Sequence, residues 1–275
     1  MNYKLICIDM DGTLLNKHSE ISEKNKNTLK KAVASGINVA ICTGRIFASA
    51  DYFSDLVGIK TALIACNGSY IKDKSTNEVI YTSTLKKEQI LKIYRTVNNH
   101  NFKIIYYTCD TAIMEKEFPE DHTYVVTNKL VPDEKKIKFF ITSDINEIIN
   151  KYGDEIIKII CLDNREDKTE LLEVKKELLK FSDLETVSSG GNNFEIMQHG
   201  VSKGNAAKIL AEKLGINQKE IMCIGDNEND VSMLKYAGLG VAMGNGCALA
   251  KEVADYVTDT NVNDGVAKAI EKFAL

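Results

Sequence analysis

The segment LICIDMDGTLLN (5–16) ends an apolar run in two carboxylates two residues apart, Asp9 and Asp11, with Gly12 and Thr13 directly after them. Carboxylates that close repel each other, and each raises the other's pKa unless a positive charge lies between them. A hard divalent ion such as Mg2+ would resolve the repulsion, because it prefers oxygen ligands and commonly takes phosphate as a co-ligand. One carboxylate can then attack phosphorus while the other moves protons. At average residue frequencies D-x-D-G-T arises by chance in about 3 of 1,000 chains of this length. The alternative is a solvated acidic turn.

Three further apolar runs close on a polar residue. INVAICT (37–43) ends in Thr43, TALIACN (61–67) in Asn67 and IMCIGD (221–226) in Asp226. In an open α/β sheet, ligands bind outside the carboxyl ends of the strands. Four strands thus bring polar groups to one sheet edge. Lys203 falls one residue inside a helix start capped by Ser202, where a cation is disfavoured unless an anion is bound. Thr43, with Gly44 and Arg45 after it, either caps a helix or holds an oxyanion. Asn67-Gly68 by itself is a common turn, and only its place at a strand end singles it out.

The elements that must position these residues follow from periodicity. KLICI (4–8), INVAICT and TALIACN alternate with helical stretches, one closed by Gly36 and one running from about residue 46 to 57. The same rhythm returns after Ser202, with a helix to about Leu214 closed by Gly215, then IMCIGD, LGVAMG (239–244) and DYVT (255–258). Continuous apolar strands separated by helices predict an α/β fold, a parallel sheet covered on both faces. The middle of the chain holds both prolines and the β-rich pieces FKIIYYT (102–108), IIKIICLD (156–163) and IKFFITSD (137–144), flanked by helical stretches near 86–99 and 167–181. That pattern predicts an α+β domain at 84–188, set into a discontinuous Rossmann-like core of 1–83 and 189–275.

Composition narrows the function. A length of 275 residues, 44% apolar and 27% charged, suits a globular protein with one large core and a smaller domain. A net charge of −4 lacks the basic footprint of a nucleic-acid partner. No apolar stretch reaches the roughly 18 residues of a membrane span. The first strand begins by Lys4, which leaves no room for a signal peptide. Seven cysteines without metal spacing read as free thiols, five of them (Cys7, Cys42, Cys66, Cys161, Cys223) in apolar runs. These features lead to the expectation of a cytoplasmic protein, a monomer or small homo-oligomer.

With those residues in view, the sequence resembles the haloacid dehalogenase (HAD) superfamily phosphatases, in particular the Cof-type branch with a large inserted (class IIB) cap. DMDGTLL (9–15), TGR (43–45), GVSKG (200–204) and GDNENDVSML (225–234) match its four motifs, and AGLGVAMGNG (237–246) and TNVNDGVAKAI (260–270) follow its Cof-type pattern. The resemblance spans the core almost end to end, and no motif is matched in the insert. It implies that Asp9 is the nucleophile, forming an aspartyl-phosphate, and a Mg2+ ligand. Asp11 would protonate the leaving alcohol, then deprotonate water, and lend its backbone carbonyl to the metal. Asp226 would complete the protein's metal ligands. Thr43 and the Gly44 amide would hold phosphate oxygens, and Lys203 would neutralise the phosphoryl group and Asp9. Asn229 and Asp230 would support metal and phosphate, Asp230 from behind the ligands. Arg45 would either touch substrate or brace the cap.

The expected activity is hydrolysis of a small phosphorylated metabolite, a sugar phosphate first. A phosphomutase shares this core and nucleophile, and a silent phospholigand-binding protein is the rival of another class. In the insert, His122, Tyr107 and Arg165 are candidates for substrate contact, although surface or core roles are commoner for such residues. His199, just before the lysine motif, departs from the small residue expected there, as Gly246 departs from alanine.

Overall fold

A computed structural model describes residues 3–275. The chain divides into two compact units, one of residues up to Arg45, Phe53–Tyr81 and Ser202–Leu275, the other of Ile46–Tyr52 and Thr82–Val201.

The N-terminal stretch contributes β1 (Leu5–Asp9), α1 (Glu23–Ala34), β2 (Asn38–Cys42), α2 (Phe47–Val57), β3 (Ala62–Ala65), β4 (Tyr70–Asp73) and β5 (Val79–Thr82). The middle contributes α3 (Lys87–Val97), β6 (Lys103–Tyr107), β7 (Thr111–Met114), α4 (Thr123–Asn128), β8 (Lys138–Ile141), α5 (Ile145–Tyr152), β9 (Lys158–Leu162), α6 (Thr169–Leu178), β10 (Leu184–Val187) and β11 (Asn193–Gln198). The chain then closes with α7 (Lys203–Leu214), β12 (Ile221–Gly225), α8 (Val231–Tyr236), β13 (Leu239–Ala242), α9 (Ala248–Val253), β14 (Tyr256–Val257) and α10 (Gly265–Phe273).

The first unit is built on a sheet ordered β14-β13-β12-β1-β2-β3-β4-β5. From β14 to β3 every pairing is parallel; β4 turns back antiparallel to β3. Every residue of β1 and β12 is buried, as continuous apolar strands covered on both faces should be. The register levels the strand ends: Asp9 stands opposite Cys42, and Ile8 lies between Ile41 and Ile224. Asp9, Thr43 and Asp226 therefore leave the sheet at the same edge. The β4–β5 hairpin extends the sheet beyond the strands that periodicity indicates.

Helix α7 begins as its sequence dictates. The Ser202 hydroxyl accepts the Asn205 N–H at 3.1 Å, and Gly215 closes the helix in the left-handed conformation at φ 66°. Its first turn lies close to the loop after β3: a Cβ on Gly68, at φ +105°, would stand 2.5 Å from the Ser202 carbonyl oxygen. Only glycine serves at a position with both that φ and that approach. This contact sets where Lys203 starts.

The second unit is a six-stranded sheet ordered β10-β11-β9-β6-β7-β8, antiparallel except between β7 and β8. Helices α3, α5 and α6 cover one face through a shared apolar cluster. This unit runs on to Val201 instead of ending at 188. The cause is β11, which lies between β10 and β9 and buries Phe194 and Ile196 in that cluster. All seven cysteines are free thiols, and Cys7, Cys42, Cys66, Cys161 and Cys223 are buried. Among the described residues no helix is long and apolar enough to cross a membrane.

Candidate active site

Lys203 is the centre of the site. Its side chain is wholly buried, and Nζ donates to Asp9 Oδ1 at 2.5 Å and to Asp230 Oδ1 at 2.5 Å. Burial works against its charge, but the two carboxylates outweigh that and raise the pKa. The second oxygen of Asp230 accepts the N–H groups of Asp226 and Asn227, at 2.8 and 2.9 Å. Both oxygens of Asp230 are thus engaged in holding Lys203 and the turn after β12. Asp226 Oδ1 accepts the Thr13 hydroxyl at 2.9 Å, which ties the end of β12 to the loop after β1.

Asp9, Asp226 and Asp230 each bring an oxygen within 4.8 Å of the others. Burial, then the charge of Asp230, drives the pKa of Asp9 up against the pull of Lys203. The same two causes push Asp226 up to about 6. Three carboxylates share one ammonium, an excess of negative charge that a divalent cation would relieve. The donor set is all oxygen, which suits Mg2+. Asp9 and Asp226 are the side chains able to hold it, since Asp230 is already committed.

The Asp11 carboxylate lies elsewhere. Arg45 holds it through both oxygens, Nε to Oδ2 at 2.8 Å and Nη2 to Oδ1 at 2.6 Å. The guanidinium also lies over the Phe53 ring, 4.3 Å from its centroid. Asp11 is therefore outside the three-carboxylate cluster as far as its side chain is concerned, and Arg45 braces a neighbour in the same unit.

The Thr43 hydroxyl accepts the Arg45 N–H at 3.1 Å, while α2 starts only at Phe47. Thr43 is thus not the cap of that helix; it closes a tight turn in which Gly44 lies. The next loop bonds back onto this turn, Asn67 N–H to the Thr43 carbonyl at 3.0 Å and Cys66 N–H to the Arg45 carbonyl at 2.9 Å. Asn67, buried and at φ 54°, accepts from Asn229 Nδ2 through Oδ1 at 3.0 Å. Two residues 162 positions apart in the chain meet in this bond.

The candidates of the second unit have structural occupations. His122 caps α4 and stacks on Phe118 with centroids 3.7 Å apart. Tyr107 is buried edge-on against Tyr124. Arg165 pairs with Asp163 and Glu170. His199 is largely exposed, its Nδ1 3.9 Å from a Glu185 oxygen. Thr13, part of D-x-D-G-T, and Asn245, part of AGLGVAMGNG, carry no role in the sequence reading, yet both bond at this edge; Asn245 Nδ2 donates to the Gly12 carbonyl at 2.7 Å. The signal for Asn245 was its place just past the end of a strand, the same rule that marks Asp226.

A parallel sheet with a carboxylate cluster at its strand ends, a buried lysine reaching it from a helix start and a separate α+β unit define a class of hydrolase. Residues 6–270 match the haloacid dehalogenase-like hydrolase family, and the chain belongs to it. It is a phosphatase of that family. It is 35% identical over 275 residues to the 5-amino-6-(5-phospho-D-ribitylamino)uracil phosphatase YcsE of Bacillus subtilis (strain 168), covering 100% of this chain and 97% of that one. A haloacid dehalogenase-like hydrolase from B. subtilis superposes with a TM-score of 0.85 at 31% identity, covering 99% of this chain and 100% of that one. A HAD subclass IIB sugar phosphatase does so with a TM-score of 0.79 at 27% identity over 98% of each chain.

Proposed function

We propose that the protein is a Mg2+-dependent phosphomonoester hydrolase that acts on small phosphorylated metabolites, sugar or sugar-alcohol phosphates first, through an aspartyl-phosphate on Asp9. The observation that carries this reading is the buried Asp9 carboxylate at the end of β1, held by Lys203 at 2.5 Å beside Asp226. Bound Mg2+ would neutralise the carboxylate excess and polarise the phosphoryl oxygens.

In the first step an Asp9 oxygen attacks phosphorus and the bond from phosphorus to the leaving oxygen breaks. Asp11 gives that oxygen a proton, for which one Asp11 oxygen must leave Arg45. In the second step Asp11 takes a proton from water, the water oxygen bonds to phosphorus, and the bond to Asp9 breaks. Lys203 pulls Asp9 toward the ionised form needed for attack, against burial and Asp230, and carries part of the phosphoryl charge. Thr43 and the Gly44 amide hold phosphoryl oxygens, and Asn229 keeps the Asn67 loop in place behind them. The α+β unit, which lacks the catalytic motifs, carries the choice of leaving group. The names of the two relatives, one acting on a ribityl phosphate and one a sugar phosphatase, favour this substrate class.

The test is phosphate release from p-nitrophenyl phosphate and a panel of sugar phosphates, with Mg2+ and in EDTA, together with acid-quench trapping of a phosphoenzyme. Mg2+-dependent release and a covalent phosphate that disappears in Asp9→Asn are expected, with turnover falling at least about a thousandfold. Full activity in EDTA would remove the metal from the reading. A tenth of the activity surviving in Asp9→Asn would remove Asp9. Isomer formed in place of free phosphate would make the enzyme a mutase.

A further inference from the structure

AMGNG (242–246) and TNVNDG (260–265) have no part in the chemistry above, yet both bear on the nucleophile loop. That loop doubles back after β1: Leu15 N–H bonds the Met10 carbonyl at 2.9 Å and Leu14 N–H the Asp9 carbonyl at 3.3 Å. Its turn rests on Gly12 at φ 81°, the residue type that loses most conformational freedom when ordered. Asn245 Nδ2 donates to the Gly12 carbonyl at 2.7 Å. Asn245 Oδ1 accepts the Asn261 N–H at 2.8 Å, and Asn261 Nδ2 donates to the Leu15 carbonyl at 2.8 Å. Two linked side-chain amides therefore hold the loop at both ends of its turn. The segment that carries Asn245 also holds Asp226, since Cys247 N–H donates to the Asp226 carbonyl at 2.8 Å.

We propose that Asn245, seated by Asn261, is a positioning residue: it fixes the Gly12 peptide and thereby the placement of Asp9 and Asp11 relative to Asp226. The proposal rests on the phosphatase reading above and adds a residue that does not touch the reacting atoms. Asn245 needs a donor for Gly12 and an acceptor for Asn261 on one short planar group, which asparagine supplies. Aspartate keeps the acceptor but turns a second oxygen toward the Gly12 carbonyl. Asn245 is exposed and outside the apolar core, so its loss removes little packing. A displacement of about 1 Å at the reacting groups is enough to cost about a hundredfold in rate.

The test uses the full-length Asn245→Ala, Asn245→Asp and Asn261→Ala variants, with kcat and KM for p-nitrophenyl phosphate at saturating Mg2+ and a thermal melt of each. Asn245→Ala and Asn245→Asp are expected to lose about tenfold or more in kcat, with KM changed less than about threefold and Tm by no more than about 2 °C. Asn261→Ala keeps the backbone bond to Asn245 and should lose less. Wild-type kcat in Asn245→Asp, or a fall in kcat that tracks Tm across the three variants, overturns the positioning role. A wild-type enzyme that releases no phosphate overturns the phosphatase reading itself, a result distinct from either.

Discussion

Arg45 holds both carboxylate oxygens of Asp11 while its guanidinium lies on the face of Phe53. The contact positions the proposed acid, because when one Asp11 oxygen is released for proton transfer the other stays on Arg45. A planar fork makes this grip and an ammonium cannot. Arg45→Lys should therefore behave like Arg45→Ala, each lowering kcat/KM on an alkyl phosphate by about tenfold or more. The loss should be smaller on p-nitrophenyl phosphate, whose leaving group needs little protonation. Steady-state kinetics on the two esters decide it; full rescue by lysine would reduce the contact to a surface ion pair.

The two duties proposed for Asp11 should separate by leaving group. Asp11→Asn should slow phosphoryl transfer from a sugar ester far more than from p-nitrophenyl phosphate. Breakdown of the aspartyl-phosphate should be slow for both, because the same carboxylate activates water. Rapid mixing should show a burst of p-nitrophenol, up to one per active site, then slow turnover. Equal slowing of both esters without a burst would assign the proton role to another group.

Lys203→Met should do more than impair catalysis. It leaves Asp9 and Asp230 buried without the cation they share, a loss of about 3–5 kcal/mol. Lys203→Met with Asp230→Asn should recover part of the stability without recovering activity. Urea melts measured in EDTA, beside phosphate release in Mg2+, separate the two effects.

The raised pKa values of Asp9 and Asp226 should make Mg2+ binding at the proposed site dependent on pH. Folding favours their protonated forms, so their contribution to stability is full below the unfolded carboxylate range. For Asp9 it is lost as pH rises through its own raised value, and for Asp226 as pH rises through about 6. Above that pH the metal-free protein holds buried anions that Mg2+ would relieve. The gain in Tm on adding Mg2+ should therefore be small near about pH 5 and grow toward about pH 8. Thermal melts across that range with and without the ion check it, and a gain that does not change with pH would contradict the site as drawn.

Substrate choice should follow the α+β unit. Exchanging residues 82–201 for those of a relative with another preference should reorder kcat/KM among sugar phosphates. Activity on p-nitrophenyl phosphate should change much less. An unchanged order in a folded chimera would place the choice in the first unit.

The sequence by itself determined the α/β class, the run of parallel strands and the sheet edge at which Asp9, Thr43, Asn67 and Asp226 emerge. Each of these depends on local information: an apolar run of strand length, and a polar residue where it stops. Helix α7 was equally legible, because Ser202, Lys203 and Gly215 act on neighbours within a turn. Only the tertiary structure decided which groups meet. Lys203 joins Asp9 to Asp230, Asn229 finds Asn67, Arg45 takes Asp11, and Asn245 reaches Gly12. In each pair the partners are 27 to 233 residues apart, so no window of sequence contains their contact. The same reason moved the end of the second unit from 188 to Val201. NFEIMQ lies past the last segment that periodicity marks in the insert, and its pairing with β9 and β10, with burial of Phe194 and Ile196, decides which sheet receives it.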